Sequence, residues 1–478
     1  MDNEHNSPPN ASVEEVFSFM RGMEDDLKLF DWRVGGVQAW PIIRYSFYQH
    51  IVRTLGSLEA SKQGIDKKRL KLNRLIGAAW YLVTRGNPLR RIWRPVRKAL
   101  RFLPAVPSKV LVFPFYRRDG DGVDAYSEET IRQFGNRAIT IGVGEFDKTV
   151  PGLINRAELT WIFNKGFDPL AKLWLKRHFT DADRAIYQSI LQAYRNRFGV
   201  EVEGNWAEYP EFRLRRYLCA AWGYGLLFRS EDVKTVFVVN PLIQGIFGAA
   251  RRAGAQIVDL QHGSVSVYHP MHNWPPGVAI DNVPDEYWAW GENWVRGIGF
   301  ASRTTPKIVG ALNSFESVRN AKYAIVTGQV AVMSSPDNTA RLFAATLECA
   351  IAHPDKTFVY KGHPRENLDA QIQQLATMPS VTNITFVEKT QGALPLIAQS
   401  EFVIGVNSTT LFEAAGLGKR VAVVGISGWE IAEALVLAGG AEFIEDPADL
   451  GARLDSIPTA KNPTAFYAPQ KHVDISRY

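Results

Sequence analysis

Two stretches in the last third of the chain decide the fold: KTFVYKGHPREN (356–367) and FVIGVNSTTLFEAAGLGKRVAVV (402–424). Each reads as an apolar strand, a polar turn and then a helix. Thr357 to Tyr360 is β-rich and runs into Lys361, His363 and Pro364. Phe402 to Val406 is a second apolar run, ending at Asn407-Ser408-Thr409-Thr410. In an open parallel sheet, ligands sit beyond the carboxyl ends of the strands. The two polar turns are therefore expected side by side on one binding edge.

Outward from this stretch the same unit repeats. QVAVMSSPD (329–337) reads as a strand and turn, Thr339 to Ala352 as a helix, and ITFVE (384–388) as a further strand. An earlier series precedes it: VLVFPF (110–115), AITIGV (138–143), LTWIF (159–163), VFVVN (236–240) and IVDLQ (257–261). Strands alternating with helices predict an α/β fold with parallel sheets. The expected class is GT-B-like, two Rossmann-like lobes facing a central cleft, with a helical N-terminal extension. The expected boundaries are a helical, basic extension over 1–107, an N-terminal Rossmann-like lobe over 108–312, a C-terminal Rossmann-like lobe over 313–455 and a tail over 456–478.

The chain has 478 residues, 46% of them hydrophobic and 22% charged, which suits two globular domains with a large core. Its two cysteines, Cys219 and Cys349, lie far apart in helical contexts, against a disulfide scaffold or a cysteine metal site. The N-terminus lacks the basic-then-apolar order of a signal peptide, and no apolar run approaches the about 20 residues of a membrane span. A cytoplasmic protein is expected.

The net charge of +6 conceals an uneven distribution. Between Asp66 and Arg101 twelve Lys or Arg face one acid, so the remainder is slightly acidic. Within NPLRRIWRPVRKALRFLP (87–104), Leu89, Ile92, Trp93, Val96, Leu100 and Leu103 recur at helical spacing among the arginines. Such a helix suits the anionic inner face of a membrane, although Pro95 should kink it and a solvated basic face is the plainer alternative. No nucleic-acid-binding motif accompanies the patch. Before it, a helix is expected from Val13 to about Phe30, punctuation at Gly35-Gly36, and a second helix opening at Trp40-Pro41. This aromatic-rich hairpin is expected to pack on the main body.

Two loops of the first lobe carry candidate chemistry. RRDGDGVD (117–124) fails the EF-hand pattern, because counted from Asp119 the fifth and sixth positions are Val123 and Asp124. Read as a strand-end loop, it offers Asp119, Asp121 or Asp124 as a base; read plainly, it is a solvated turn. In VDLQHGSVSVYHPMHNW (258–274), His262 follows a strand end beside Gly263, with His269 and His272 beyond. Their spacings match no zinc pattern, so no metal is expected. His262 is either a cleft residue or a hydrogen-bonded structural one.

The set QHG (261–263), Ser334-Ser335 after a strand, K-x-H-P (361–364) and N-S-T-T-x-x-E-A (407–414) resembles a group of bacterial surface-polysaccharide transferases. That group includes capsular Kdo transferases, polysialyltransferases and teichoic-acid glycerophosphotransferases; the resemblance covers roughly residues 235–450. It implies a GT-B enzyme that needs no further cofactor, takes a CMP- or CDP-linked donor, and builds a glycan or glycolipid on the cytoplasmic face of the membrane. GHPREN (362–367) also resembles the G-H-R-R-E-N of UDP-sugar 2-epimerases, which have D-S-G-G where this chain has Asn407-Ser408-Thr409-Thr410.

The residue chemistry stands beside that resemblance. A donor phosphate needs hydrogen-bond donors and positive charge. Ser408, Thr409 and Thr410 open a helix, and Lys361 and His363 add charge from the neighbouring strand. Glu413 is placed for ribose hydroxyls, or plainly as the capping partner of Ser408. The acceptor hydroxyl needs a base, either His262, whose ordinary pKa of about 6.5 suits neutral pH, or an aspartate of the 119–124 loop. The expected function is glycosyl transfer from a nucleotide sugar, CMP-linked by preference, in capsule or lipopolysaccharide assembly. The alternatives are a CDP-polyol phosphotransferase, an epimerase-like enzyme and a non-catalytic assembly factor.

Overall fold

The computed structural model describes residues 11–55, 109–115, 124–142, 154–199, 205–230, 233–239, 244–321, 323–336, 338–363, 366–387, 391–471, 473–475 and 478. The basic stretch 66–101, Asp119, Asp121 and Pro364 lie outside these.

The first helix, α1 (Val13–Asp26), starts at a capping box. The Glu15 N–H donates to Ser12 Oγ at 3.0 Å, and the Ser12 N–H to Glu15 Oε2 at 2.9 Å. A short hairpin follows, β1 (Arg33–Val34) and β2 (Val37–Gln38), turned by Gly35 and Gly36 at φ +53° and +84°. Two positive φ values suit a two-residue hairpin turn, and glycine takes them without strain. The helix α2 (Trp40–Thr54) then opens with Pro41 in its first turn.

The N-terminal lobe contains β3 (Lys109–Phe113), α3 (Glu128–Phe134), β4 (Ala138–Gly142), β5 (Ile154–Asn155), α4 (Arg156–His178), α5 (Asp181–Phe198) and α6 (Tyr209–Ser230). It continues through β6 (Val233–Val239), α7 (Gln244–Ala253), β7 (Gln256–Leu260), β8 (Glu286–Ala289) and β9 (Thr305–Ile308). Among the described residues its seven strands run in the order β5-β4-β3-β6-β7-β8-β9, every neighbouring pair parallel. The expected strand at 159–163 is instead part of α4. Leu159, Phe163, Phe167, Ala171 and Leu175 recur every four residues and turn one helical stripe to the core. The strand that pairs with β4 is the two-residue β5 just before it.

After α8 (Asn313–Asn320), the C-terminal lobe holds β10 (Gln329–Met333), α9 (Thr339–Ala352), β11 (Thr357–Lys361), α10 (Asp369–Ala376), β12 (Ile384–Val387) and α11 (Ala393–Gln399). It ends with β13 (Phe402–Gly405), α12 (Thr409–Gly416), β14 (Arg420–Val424), α13 (Glu433–Leu437) and β15 (Glu442–Ile444). This sheet is β12-β11-β10-β13-β14-β15, again wholly parallel. Two parallel sheets, each covered by helices, make the α/β, two-lobed GT-B arrangement. Among the described residues no helix is long and apolar enough to cross a membrane.

The helical hairpin at the N-terminus packs on the first lobe, as its aromatics predict. Trp40, Ile43 and Phe47 share one core with Tyr187, Tyr194 and Leu214 of α5 and α6 and with Trp274. The last residues return to the same lobe. The Ala468 N–H donates to the Trp290 carbonyl at 2.9 Å, and the Lys471 N–H to the Val309 carbonyl at 2.8 Å. Gly310, at φ +92°, lets this segment approach, since a Cβ there would stand 2.3 Å from the Pro469 carbonyl.

Candidate functional site

In the C-terminal sheet the chain runs outward from β10 through β11 to β12 and then crosses back to β13 on the other side of β10, so the topological switch point falls between β10 and β13. Such a point opens a crevice at the carboxyl edge. The two polar turns are therefore not immediate neighbours, because β10 runs between β11 and β13. Ser334-Ser335, at the end of β10, joins them. Ser335 Oγ donates to Asn407 Oδ1 at 3.1 Å, and the Ser334 N–H to the Lys361 carbonyl at 3.1 Å. Ser334, Ser335, Lys361, His363, Asn407 and Ser408 thus form one edge.

The residue that holds this edge was not singled out from the sequence. Glu366, only 4% exposed, accepts from Ser334 Oγ at 2.7 Å and, more closely, from Thr339 Oγ1 and the His363 N–H. Tyr360 adds a hydrogen bond from its hydroxyl to Ser334 Oγ at 3.0 Å. One buried carboxylate therefore locks the turn after β11 to the turn after β10. The available signal was the His-x-x-Glu spacing, which lets a carboxylate reach back to a turn N–H as in a capping box. Replacing Glu366 by Ala leaves buried donors without an acceptor, at about 1–3 kcal/mol each. A lower melting temperature is expected, with substantial recovery in Glu366→Gln.

Lys361 is 8% exposed, and its ammonium has no hydrogen bond or ion pair among the described residues. Burial lowers its pKa. It stands in register with Met333 of β10, which in turn pairs with Gly405 of β13. Ser408 caps α12, accepting from the Thr410 N–H at 3.3 Å and from Thr410 Oγ1 at 2.7 Å. Glu413 is not its capping partner: the third helical position is Leu411, and Glu413 lies half a turn further on, 7% exposed. The edge carries a buried ammonium at the end of β11 and, across β10, a capped helix N-terminus after β13, two features that each favour an anion.

Across the lobe boundary, Gln261 fixes the turn after β7. Its Oε1 accepts from the Trp290 N–H at 2.9 Å, and its Nε2 donates to the Gly263 carbonyl at 3.0 Å. The His262 ring follows, with Phe115 and Tyr126 at centroid distances of 5.4 and 6.3 Å. Burial, helped by the nearby His272, pushes His262 down to about 4, so it is neutral at physiological pH. That weakens it as a base relative to an ordinary histidine. Asp124 moves the opposite way: it is 1% exposed, and burial raises its carboxyl to about 7. It accepts from Ser127 Oγ at 2.5 Å and from the Ser127 N–H at 3.1 Å.

His269 and His272 hydrogen-bond to each other at 3.0 Å, and His272 Nε2 meets Asp259 Oδ2 at 3.1 Å. They form a buried chain that braces the 262–274 loop. Among the described residues no group of three or more His, Cys, Asp or Glu is placed to hold a metal ion. The lobes meet beside this loop, where the Tyr268 hydroxyl donates to Glu433 Oε2 at 3.0 Å. The structure gathers the polar turns of the C-terminal lobe into one edge and sets His262 beside the Asp124 turn on the other lobe.

No protein-family model matches the chain, and no curated protein sequence matches it. Among solved structures, it is similar to MurG of Acinetobacter baumannii at 12% identity and TM-score 0.41, covering 73% of this chain and 90% of that one. A UDP-GlcNAc 2-epimerase from Neisseria meningitidis, solved with UDP-GlcNAc, aligns at 12% identity and TM-score 0.43 over 75% and 96%. The spinosyn rhamnosyltransferase SpnG aligns at 14% identity and TM-score 0.40 over 73% and 91%.

Proposed function

We propose that the protein is a glycosyltransferase that moves a sugar from a nucleotide donor, CMP-linked by preference, onto a capsule or lipopolysaccharide glycan. The observation that carries this reading is Lys361: a buried ammonium without an anionic partner among the described residues, on the same carboxyl edge as the N-terminus of α12, which follows the sheet switch point. Burying a charge costs free energy unless a counter-charge meets it, and a donor phosphate is such a counter-charge. In the reaction, the acceptor hydroxyl oxygen bonds to the anomeric carbon as the bond from that carbon to the phosphate oxygen breaks. The electron pair leaves with the nucleotide, where Lys361 and the helix N–H groups stabilise it. The hydroxyl proton passes to a base. Asp124 suits that role better than His262, because a group near pKa 7 is half ionised at working pH and still basic.

A thermal-shift screen with CMP, CDP, UDP and GDP tests the reading. A ligand at about 100 times its dissociation constant adds about 2.7 kcal/mol of stability. Flat curves for all four nucleotides would sink the proposal, and a response confined to uridine nucleotides would replace the CMP preference. The base makes a separate prediction. A carboxyl base acts only when ionised, so kcat/KM is expected to rise with pH and level off above about 7. Asp124→Asn is expected to lose about 10²–10⁴ in kcat while His262→Ala loses far less. The reverse ranking would return the role to His262.

A further inference from the structure

Behind the His262 turn lies a buried string of ionisable side chains that the transfer step leaves unused. Asp259, on β7, is 1% exposed and His272 is 5% exposed. His272 Nε2 meets Asp259 Oδ2 at 3.1 Å, and His272 Nδ1 meets His269 Nδ1 at 3.0 Å. The Met271 N–H also donates to His269 Nδ1, at 3.3 Å. The ionisable groups facing this string are Arg44 and Tyr45 from α2, His262 from the turn after β7, and Tyr287 from β8. Arg44 is itself neutralised by Glu24.

These contacts fix where the protons are. An imidazole nitrogen either donates or accepts. His269 Nδ1 accepts from Met271, so it carries a lone pair, and the proton between the two rings belongs to His272 Nδ1. His272 Nε2 then faces a carboxylate oxygen, and a hydrogen bond there needs a second proton, held on Nε2 or on Oδ2. A carboxylate beside a neutral imidazole holds one proton, whereas this pair needs two. Without the second, His272 turns a lone pair either to the Asp259 carboxylate or to His269, which replaces a buried bond by a repulsion. Burial raises the Asp259 carboxyl, opposed by the His272 bond. Its Oδ1 is buried without a hydrogen-bond partner, which further disfavours a bare carboxylate.

We propose that Asp259 and His272 share a proton that holds the 262–274 loop in place, so that the loop loosens as pH rises. The loop carries His262, and it carries Tyr268, whose hydroxyl bonds Glu433 of the C-terminal lobe at 3.0 Å. One proton therefore positions both the cleft histidine and a contact between the lobes. In an opened loop the aspartate is ionised above about pH 4, and a freed histidine keeps its second proton only below about pH 6.5. Between those values the open and closed loops hold equal numbers of protons, and pH favours neither. Above about 6.5 only the closed loop holds the proton, so its stability falls with rising pH until the closed pair itself deprotonates. The proton count does not depend on the donor reading.

The test is hydrogen–deuterium exchange of the peptide spanning 262–274 in the full chain, corrected for the intrinsic pH dependence of amide exchange. Between about pH 6 and about 9, protection is expected to fall by up to about ten-fold per pH unit above about 6.5. In Asp259→Asn the side-chain amide can donate to His272 Nε2 with no added proton. In His269→Asn the amide can donate to His272 Nδ1, which frees an Nε2–H for Asp259. Each variant is expected to flatten the profile, and either one suffices if the other fails to fold. A flat profile in the parent overturns the proposal without any variant, and so does a folded variant whose protection falls in parallel with the parent's.

Discussion

Replacing Lys361 by Met is expected to reduce transfer from a nucleotide donor by about 10²–10³ in kcat, the scale of losing one preorganised charge from a transition state. The same change should stabilise the free protein. The Lys361 ammonium is buried without a partner among the described residues, and burial has lowered its pKa, so the charged form is disfavoured by folding. Methionine fills similar space with no charge to bury. The expected pattern is a melting temperature that holds or rises, together with loss of turnover and of the nucleotide-induced shift. A lysine with a purely structural role predicts the opposite, a lower melting temperature with turnover reduced only in proportion. Lys361→Arg keeps the charge but not the compact shape and is expected to recover part of the activity.

The largest expected effect on folding belongs to Arg44. It is fully buried on α2 and holds Glu24 of α1 in a two-pronged pair, Nε to Oε1 at 2.5 Å and Nη2 to Oε2 at 3.1 Å. Trp40 Nε1 donates to the same Glu24 oxygen at 2.7 Å. Arg44 Nη1 bonds the carbonyls of Pro270 and Asn273, and the guanidinium lies 4.7 Å from the centre of the Trp274 ring. One side chain therefore ties both N-terminal helices to the loop that runs on from His262. Arg44→Ala strands the Glu24 carboxylate in the core, which costs about 3–5 kcal/mol. A large fall in melting temperature is expected. Arg44→Met combined with Glu24→Leu removes both charges and should recover most of that loss. If the single and double variants melt alike, the pair is not what joins these elements.

Much of the fold could be read from the chain because buried parallel strands appear as short apolar runs between glycines and polar turns. Gln329–Met333, Phe402–Gly405 and Arg420–Val424 all begin where the pattern places them. Leu159–Phe163 misled because four apolar and aromatic residues around one threonine fit a strand as well as one and a half turns of helix. Only the longer four-residue repeat to Leu175 separates the two. The candidate edge was legible as a set of polar turns, but its internal order was not. Glu366 reaches a serine 32 residues away, a distance along the chain that no local pattern spans. The contrast between Asp124 and His262 was equally hidden. Both look like ordinary loop residues, and only tertiary burial raises one to about 7 and lowers the other to about 4.

The central claim is that the Lys361 edge holds the phosphate of a nucleotide donor. Calorimetric titration of CMP into the full chain and into Lys361→Met measures this most directly. The expected result is one site per chain, with affinity at least about ten-fold weaker in the variant, the equivalent of about 1.4 kcal/mol. Equal affinity in the two proteins would place the nucleotide away from Lys361, and no binding of CMP, CDP, UDP or GDP to either would contradict the donor site itself.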